Sequence, residues 1–319
     1  MGNPFPSRPV RPGVTGIAWR ALHIAVPLAI ITAVISAVGA EEVIAQLRGA
    51  TWGWIAAALA ACAAQTVLSA IRWRLTAQRL GLAISEQRAV AEYFLSSLVN
   101  TTVPGGVLGD AWRAVRSRSG GGLEPAAQSV LIERMAGQIA LGAVLVLGLA
   151  VSGRPLFQGT AALVVLAVVA LLLISFTPFR AVLGRSLPTF MLRFATAIRH
   201  CWSGRLTASA QVSLSVAIVV ANIATFVFAA RATGTVIGLS DAILAVPLIL
   251  FAMLIPLSVA GWGYREGTAV AVFTLIGFTA ADGLSASVIF GVVVFLAALP
   301  GLMVLVWSIY RPGAGPKEN

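Results

Sequence analysis

The sequence predicts an all-α polytopic integral membrane protein with about six full spans, joined by short or re-entrant broken helices that bring the apolar segments to seven or eight. Three observations carry that expectation. Hydrophobic residues make up 59% of the 319 and charged residues only 10%, with a mean hydropathy of +0.94, so lipid must solvate most of the side chains. The apolar runs are continuous rather than alternating, which marks helical spans and not barrel strands. One phrase also occurs twice: Pro104, Gly109 and Arg113 recur as Pro256, Gly261 and Arg265, 152 residues further on.

Taken in order, residues 1–20 form a basic tail with Pro4, Pro6, Pro9 and Pro12 beside Arg8, Arg11 and Arg20, too polar and proline-rich to pack. One transmembrane domain is expected over 21–310, with repeat centres at 89–113 and 242–266, and 311–319 is a polar C-terminal tail. The run 21–39 reads as a retained first span, being too long and too poor in a cleavage site for an obvious secretory signal. The second span, 52–71, opens on Trp52 and Trp54 as interfacial anchors and closes on Arg72, Trp73 and Arg74. Further spans are expected at 126–152, 160–176, 208–230 and 285–309, the stretch 267–281 being a short run closed by Asp282 and Gly283. Residues 178–207, with five arginines, fit an interfacial amphipathic helix.

The two repeated phrases follow the runs 89–103 and 242–255, which as helices reach only ~22 Å against a hydrocarbon core of ~30 Å. Pro104, Gly105, Gly106 and Gly109 break the first; Pro256, Gly261 and Gly263 break the second. Short apolar segments interrupted by Pro and Gly at matching places in two halves point to a transporter-type binding site. Basic residues flank 89–103 on both sides, so that segment should dip in and return. Three spans separate the phrases, an odd number, so if both are re-entrant they enter from opposite faces as an inverted repeat; 242–281 reads either as a re-entrant pair or as two thin spans.

The net charge of +11 comes from 22 basic and 11 acidic residues, and in this composition it reads as loop bias and attraction to anionic lipid, with no nucleic acid as partner. Fifteen arginines fall in the tail, in 72–118 and in 178–207, against three (Arg48, Arg154 and Arg231) in the opposite loops, which places the N-terminus in the cytoplasm. No metal and no cofactor is expected: only His23 and His200 are present, and Cys62 and Cys201 lie far apart.

Asp110, Arg113, Glu133, Arg134, Arg265 and Glu266 sit in or beside apolar surroundings, where an ionised side chain costs roughly 2.5–3.5 kcal/mol at a helix centre. They must pair, face water or face a polar ligand. Glu133 and Arg134 are adjacent and so point in different directions; Arg113 or Arg265 suits the first, Asp110 or Glu266 the second. Broken helices also aim free backbone N–H groups inward, and a guanidinium fork matches phosphate. Structural glue is the alternative for each residue, although two unrelated kinks would not share Pro, Gly and Arg at one spacing. Asn100, Thr101 and Thr102 read as backbone caps, and Trp112, Trp262 and Tyr264 as packing or interface aromatics.

Val103 through Arg113, then Ile132 through Gly137, then Ile255 through Ser258 with Gly261, Gly263, Arg265 and Glu266 resemble the three signature stretches of the lysylphosphatidylglycerol synthase transmembrane (flippase-like) family. That resemblance implies a membrane domain that flips an aminoacylated phospholipid made by a separate cytosolic domain; other relatives are linked to lipid-linked sugars. Nine residues follow Tyr310, so no synthase domain is expected and lysine transfer is not implied.

Three functions are therefore weighed. The first is a flippase that moves or binds an anionic phospholipid or a polyprenyl-phosphate-linked lipid in the bacterial cytoplasmic (inner) membrane, without catalytic residues, with Glu133 or Asp110 able to carry a proton. The second is a membrane-embedded glycosyl or lipid transferase, disfavoured because no polar loop clusters Asp residues for a divalent cation. The third is a non-catalytic membrane subunit for a separate synthase or glycosyltransferase, docked on 178–207.

Overall fold

The computed structural model describes residues 39–103, 106–118, 122–152, 187–255 and 260–310, with part of 25–36. The tails, the expected span 160–176, and the helix-breaking Pro104, Gly105 and Pro256 lie outside the described residues. The described residues between 25 and 36 are helical and exposed. Further along come α1 (Ala40–Arg48), α2 (Trp52–Arg79), α3 (Glu86–Thr102), α4 (Leu108–Arg116) and α5 (Leu123–Val151). Then follow α6 (Leu187–Cys201), α7 (Arg205–Ala232), α8 (Leu239–Ala252), α9 (Tyr264–Ile276), α10 (Ala280–Ala298) and α11 (Pro300–Tyr310). Helices α2, α5 and α7, and the continuous stretch Ala280–Ser308 across α10 and α11, are long and apolar enough to cross a membrane. The chain is an all-helical, multi-pass membrane protein.

Shifting the first half by 152 residues lays it on the second. Helix α2 lands on 204–231, which is α7 to within one residue; α3 lands on 238–254, which contains α8; α5 lands on 275–303, the stretch of α10 and the start of α11. Equivalent helices then meet in opposite directions. The Trp54 and Phe228 rings lie 5.6 Å apart at one end of the α2–α7 contact. Arg72 Nη1 donates to Ser215 Oγ at 3.0 Å in the middle, and Gln211 Nε2 donates to Thr76 Oγ1 at 3.0 Å further along. Arg79 meets Thr207 at the far end. Residue numbers rise on one helix as they fall on the other, so α2 and α7 are antiparallel and the second repeat is inverted relative to the first.

The halves also exchange partners. Helix α5 packs on α8, and α11 packs on α3. Each crossing is closed by a glycine: a Cβ on Gly148 would lie 2.6 Å from the Ile243 carbonyl oxygen, and one on Gly301 would strike the Phe94 carbonyl. Gly148 and Gly301 hold nearly equivalent places, 153 residues apart. Backbones approach this closely only where side chains are absent.

Each repeated phrase interrupts a pair of short helices, α3 with α4 and α8 with α9, whose members pack on each other. The 17 residues of α3 and the 14 of α8 give ~25 Å and ~21 Å of helix. Amphipathic α6 covers 187–201 of the expected interfacial stretch, turning Phe194, Ala197 and Cys201 onto the end of α2 and the start of α5.

Two expectations are corrected. Helix α2 does not close at Arg72; it runs on to Arg79, because no Gly or Pro intervenes before Gly81, and Arg72 and Trp73 are buried at 2% and 0% exposure. Asp282 and Gly283 do not close the preceding run. They lie in the first turn of α10, where Asp282 and Thr279 form a capping box, with Thr279 N donating to Asp282 Oδ2 at 3.0 Å and Asp282 N donating to Thr279 Oγ1 at 3.1 Å. The break falls instead at Gly277.

Candidate functional site

The six ionisable residues singled out in the sequence fall into two clusters. Asp110, Arg113, Glu133 and Arg134 come together in the first, joined by Arg72. Helix α5 presents Glu133 and Arg134 to different sides. Glu133 takes Arg72 Nη2 on one oxygen at 2.7 Å and Arg113 Nη2 on the other at 3.4 Å, while Tyr93 OH donates to it at 3.2 Å. Arg134 pairs with Asp110 and donates to the Gly106 carbonyl at 3.3 Å. Asp110 also accepts from Arg113 at 3.0 Å and from Ser96 Oγ at 3.2 Å.

The break between α3 and α4 positions this cluster. Gly109 sits against the Ser96 carbonyl, so α4 leans directly on α3. Asn100 stitches the two: its Oδ1 accepts from Gly109 N at 2.8 Å and its Nδ2 donates to Asp110 Oδ2 at 3.4 Å. Thr101 and Thr102 return their hydroxyls to carbonyls of their own helix. Asn100 thus caps the next helix rather than its own.

The second cluster is closed on itself. Arg265 pairs with Glu266 and donates from Nε to Ser287 Oγ at 3.0 Å, and Glu266 accepts from Gly263 N at 2.6 Å. Its carboxylate reaches back over the first turn of α9, where it meets the helix N-terminus. Gly261 adopts φ +79, and a Cβ there would strike Met253. Of the flagged aromatics, Trp262 lies under Arg265 at 4.7 Å, whereas Trp112 is exposed.

A cavity of about 360 Å³ opens beside the first cluster, between the two repeats. Arg72, Asp110, Glu133 and Arg134 form its ionic wall, and Arg113 stands behind them, clasped between Trp73 and Tyr93 at 4.6 and 4.3 Å. The second repeat supplies Asn222 and Thr225 together with an apolar wall that includes Leu250, Met253 and Val294. Arg265 and Glu266 are not on this cavity, though Phe290, whose ring lies 5.5 Å from Arg265, is.

Three guanidiniums face two carboxylates here, a surplus of one positive charge. Nitrogen donors of all three arginines, namely Nε of Arg72, Arg113 and Arg134 and Nη1 of Arg113, have no partner among the described residues. The first cluster therefore carries a net positive charge beside the cavity.

Reading from sequence missed Arg72 and Glu92. Beside Trp73 and Arg74, Arg72 has the composition of a span boundary. Glu92, buried on α3, holds Arg116 Nε with both carboxylate oxygens at 2.9 Å and fastens the far end of α4. A carboxylate inside the apolar run 89–103 was the available signal for the second.

Residues 20–301 match the family described as Lysylphosphatidylglycerol synthase TM region, and the chain belongs to that family. Among curated proteins none matches it.

Proposed function

We propose that this member of the lysylphosphatidylglycerol synthase transmembrane family is a lipid translocase that takes the anionic head group of a membrane lipid into the cavity between its repeats. The single observation that carries the reading is the cluster of three guanidiniums on two carboxylates beside the cavity, one positive charge in excess in a setting where an uncompensated charge is costly. A phosphate oxygen would be received by Arg134 and Arg72, the cluster arginines that line the space. The acyl or prenyl chains would lie along the apolar wall and out into the bilayer. Inverted repeats that share a site at their interface support alternating access by rocking one half against the other. The family's description supports lipid handling. The arginine bias of 72–118 and 178–207 supports a cytoplasmic N-terminus in a bacterial inner membrane.

The test is a leaflet-exchange assay on purified protein in liposomes, with fluorescent phosphatidylglycerol and a fluorescent polyprenyl phosphate. Wild type should exchange at least one of them, and Arg134→Gln should slow that exchange at least tenfold while leaving the protein folded. Wild-type protein that is folded and exchanges neither lipid would overturn the proposal.

A further inference from the structure

The contact between α2 and α7 continues past the ionic cluster toward the middle of both helices. Arg72 with Ser215 and Thr76 with Gln211 set its antiparallel register. Seven residues on from the first pair, ~10 Å along each axis, that register brings Gln65 opposite Asn222. Both side chains line the cavity, one from each repeat. Gln65 stands at the centre of α2 and Asn222 near the centre of α7, so this layer lies at mid-membrane depth.

The two amides differ from the other polar groups of this contact. Gln211 donates to Thr76, and Thr66, Ser215 and Thr225 return their hydroxyls to carbonyls of their own helices. Asn222 is half-buried, and its side chain has no hydrogen-bond partner among the described residues. Gln65 is also half-buried; it donates from Nε2 to Ser69 Oγ at 2.9 Å and leaves its Oε1 open. Neither amide is sealed inside the packing. Asn and Gln on membrane helices ordinarily bond across the helix contact. These two meet in register and do not. Open polar groups at this depth are costly, and they mark substrate pathways.

Resting on the proposed translocase reading, we infer that Gln65 and Asn222 form a second, uncharged station for the lipid head group, which takes it from the arginine layer across the middle of the bilayer. A phosphate that stayed on Arg72 and Arg134 would be held and not carried. An amide N–H donates to a phosphate oxygen as a guanidinium does, but without net charge, so its hold is weaker. Its carbonyl oxygen accepts, so hydroxyl or ammonium hydrogens on the same head group are met as well. Passage needs sites that bind well enough to be entered and weakly enough to be left. One amide from each repeat suits a station whose walls part when the halves rock.

Two readouts on the full chain test the inference. Leaflet exchange of fluorescent phosphatidylglycerol and fluorescent polyprenyl phosphate is measured in liposomes, and equilibrium binding of the same lipids is measured on detergent-solubilised protein by native mass spectrometry. Asn222→Leu and Gln65→Leu should each slow exchange by about five- to tenfold, the effect of one lost hydrogen bond at the crossing point, while binding as tightly as wild type. Asn222→Leu should fold, because it puts hydrocarbon in place of an unpartnered amide on an apolar helix, and the smaller Asn222→Ala should show the same split. Asn222→Gln, which keeps the amide, should retain exchange. Unchanged exchange in both Leu variants overturns the inference. So does exchange that falls only in proportion to binding, since the amides would then belong to the arginine site; in both cases the translocase reading stands. Folded wild type that exchanges neither lipid removes the translocase reading, and the station with it.

Discussion

Arg113 and Arg265 hold equivalent places in the two repeats, and both are 1% exposed between aromatic rings, yet their ionic connections differ. Arg113 is one of three arginines shared by two carboxylates, whereas Arg265 is the ion-pair partner of Glu266. Removing one partner of a buried pair costs about 3–5 kcal/mol when the other is left uncompensated. Loss of Arg113 leaves Asp110 with Arg134 and Glu133 with Arg72. Arg265→Met should therefore lower the unfolding temperature in detergent more than Arg113→Met does. Adding Glu266→Gln to Arg265→Met should recover part of the loss, since the amide oxygen still accepts from Gly263 N. Equal losses at the two arginines, or a double variant worse than the single, would contradict the asymmetry.

The exchanged crossings predict a second pair of effects. Gly148→Val and Gly301→Val each place atoms against a carbonyl of the opposite repeat, at Ile243 and at Phe94. Each should cost about 1–3 kcal/mol in detergent unfolding. Gly53→Ala, where an added Cβ meets nothing within 4 Å, should be neutral or slightly stabilising. A tolerant Gly148 would mean that α5 and α8 do not cross there.

Pro, Gly and Arg at one spacing revealed the repeat because a break in an apolar helix needs special residues, and special residues are easy to see. The long helices were legible by hydropathy, but their ends were not. Arg72 and Trp73 have the composition of an interface, and only packing against Ser129, Glu133 and Ser215 makes them interior. The division of six ionisable residues into two clusters was equally hidden, because it depends on which helices face each other across the repeats.

Cys201 offers a test of how α6 seats on α2. Its thiol is fully buried, with Sγ 3.8 Å from the Thr76 carbonyl oxygen, and burial pushes its pKa from 9.0 up to about 11. The folded state thus favours the protonated thiol. That contribution to stability is complete below pH 9 and declines between there and about pH 11. In a Cys62→Ser background, maleimide labelling of the native protein at pH 7 should be far slower than labelling after unfolding. Fast native labelling at neutral pH would show that α6 does not cover this position.

The antiparallel meeting of α2 and α7 is the observation on which the inverted repeat rests, and cross-linking decides it. Gln211 and Thr76 are hydrogen-bonded at 3.0 Å, so in a cysteine-free background Thr76→Cys with Gln211→Cys should form a link with a short bifunctional thiol reagent. If the two helices ran parallel in repeat register, Thr76 would instead face Phe228, its equivalent 152 residues on. That position lies 17 residues from Gln211 on α7, ~26 Å along the helix, beyond the reach of a short reagent. Thr76→Cys with Phe228→Cys should therefore remain unlinked under the same conditions. A link in the second pair and none in the first would turn the repeat from inverted to parallel. The two halves would then open to the same side of the membrane, and rocking about the shared cavity would no longer carry a head group across it.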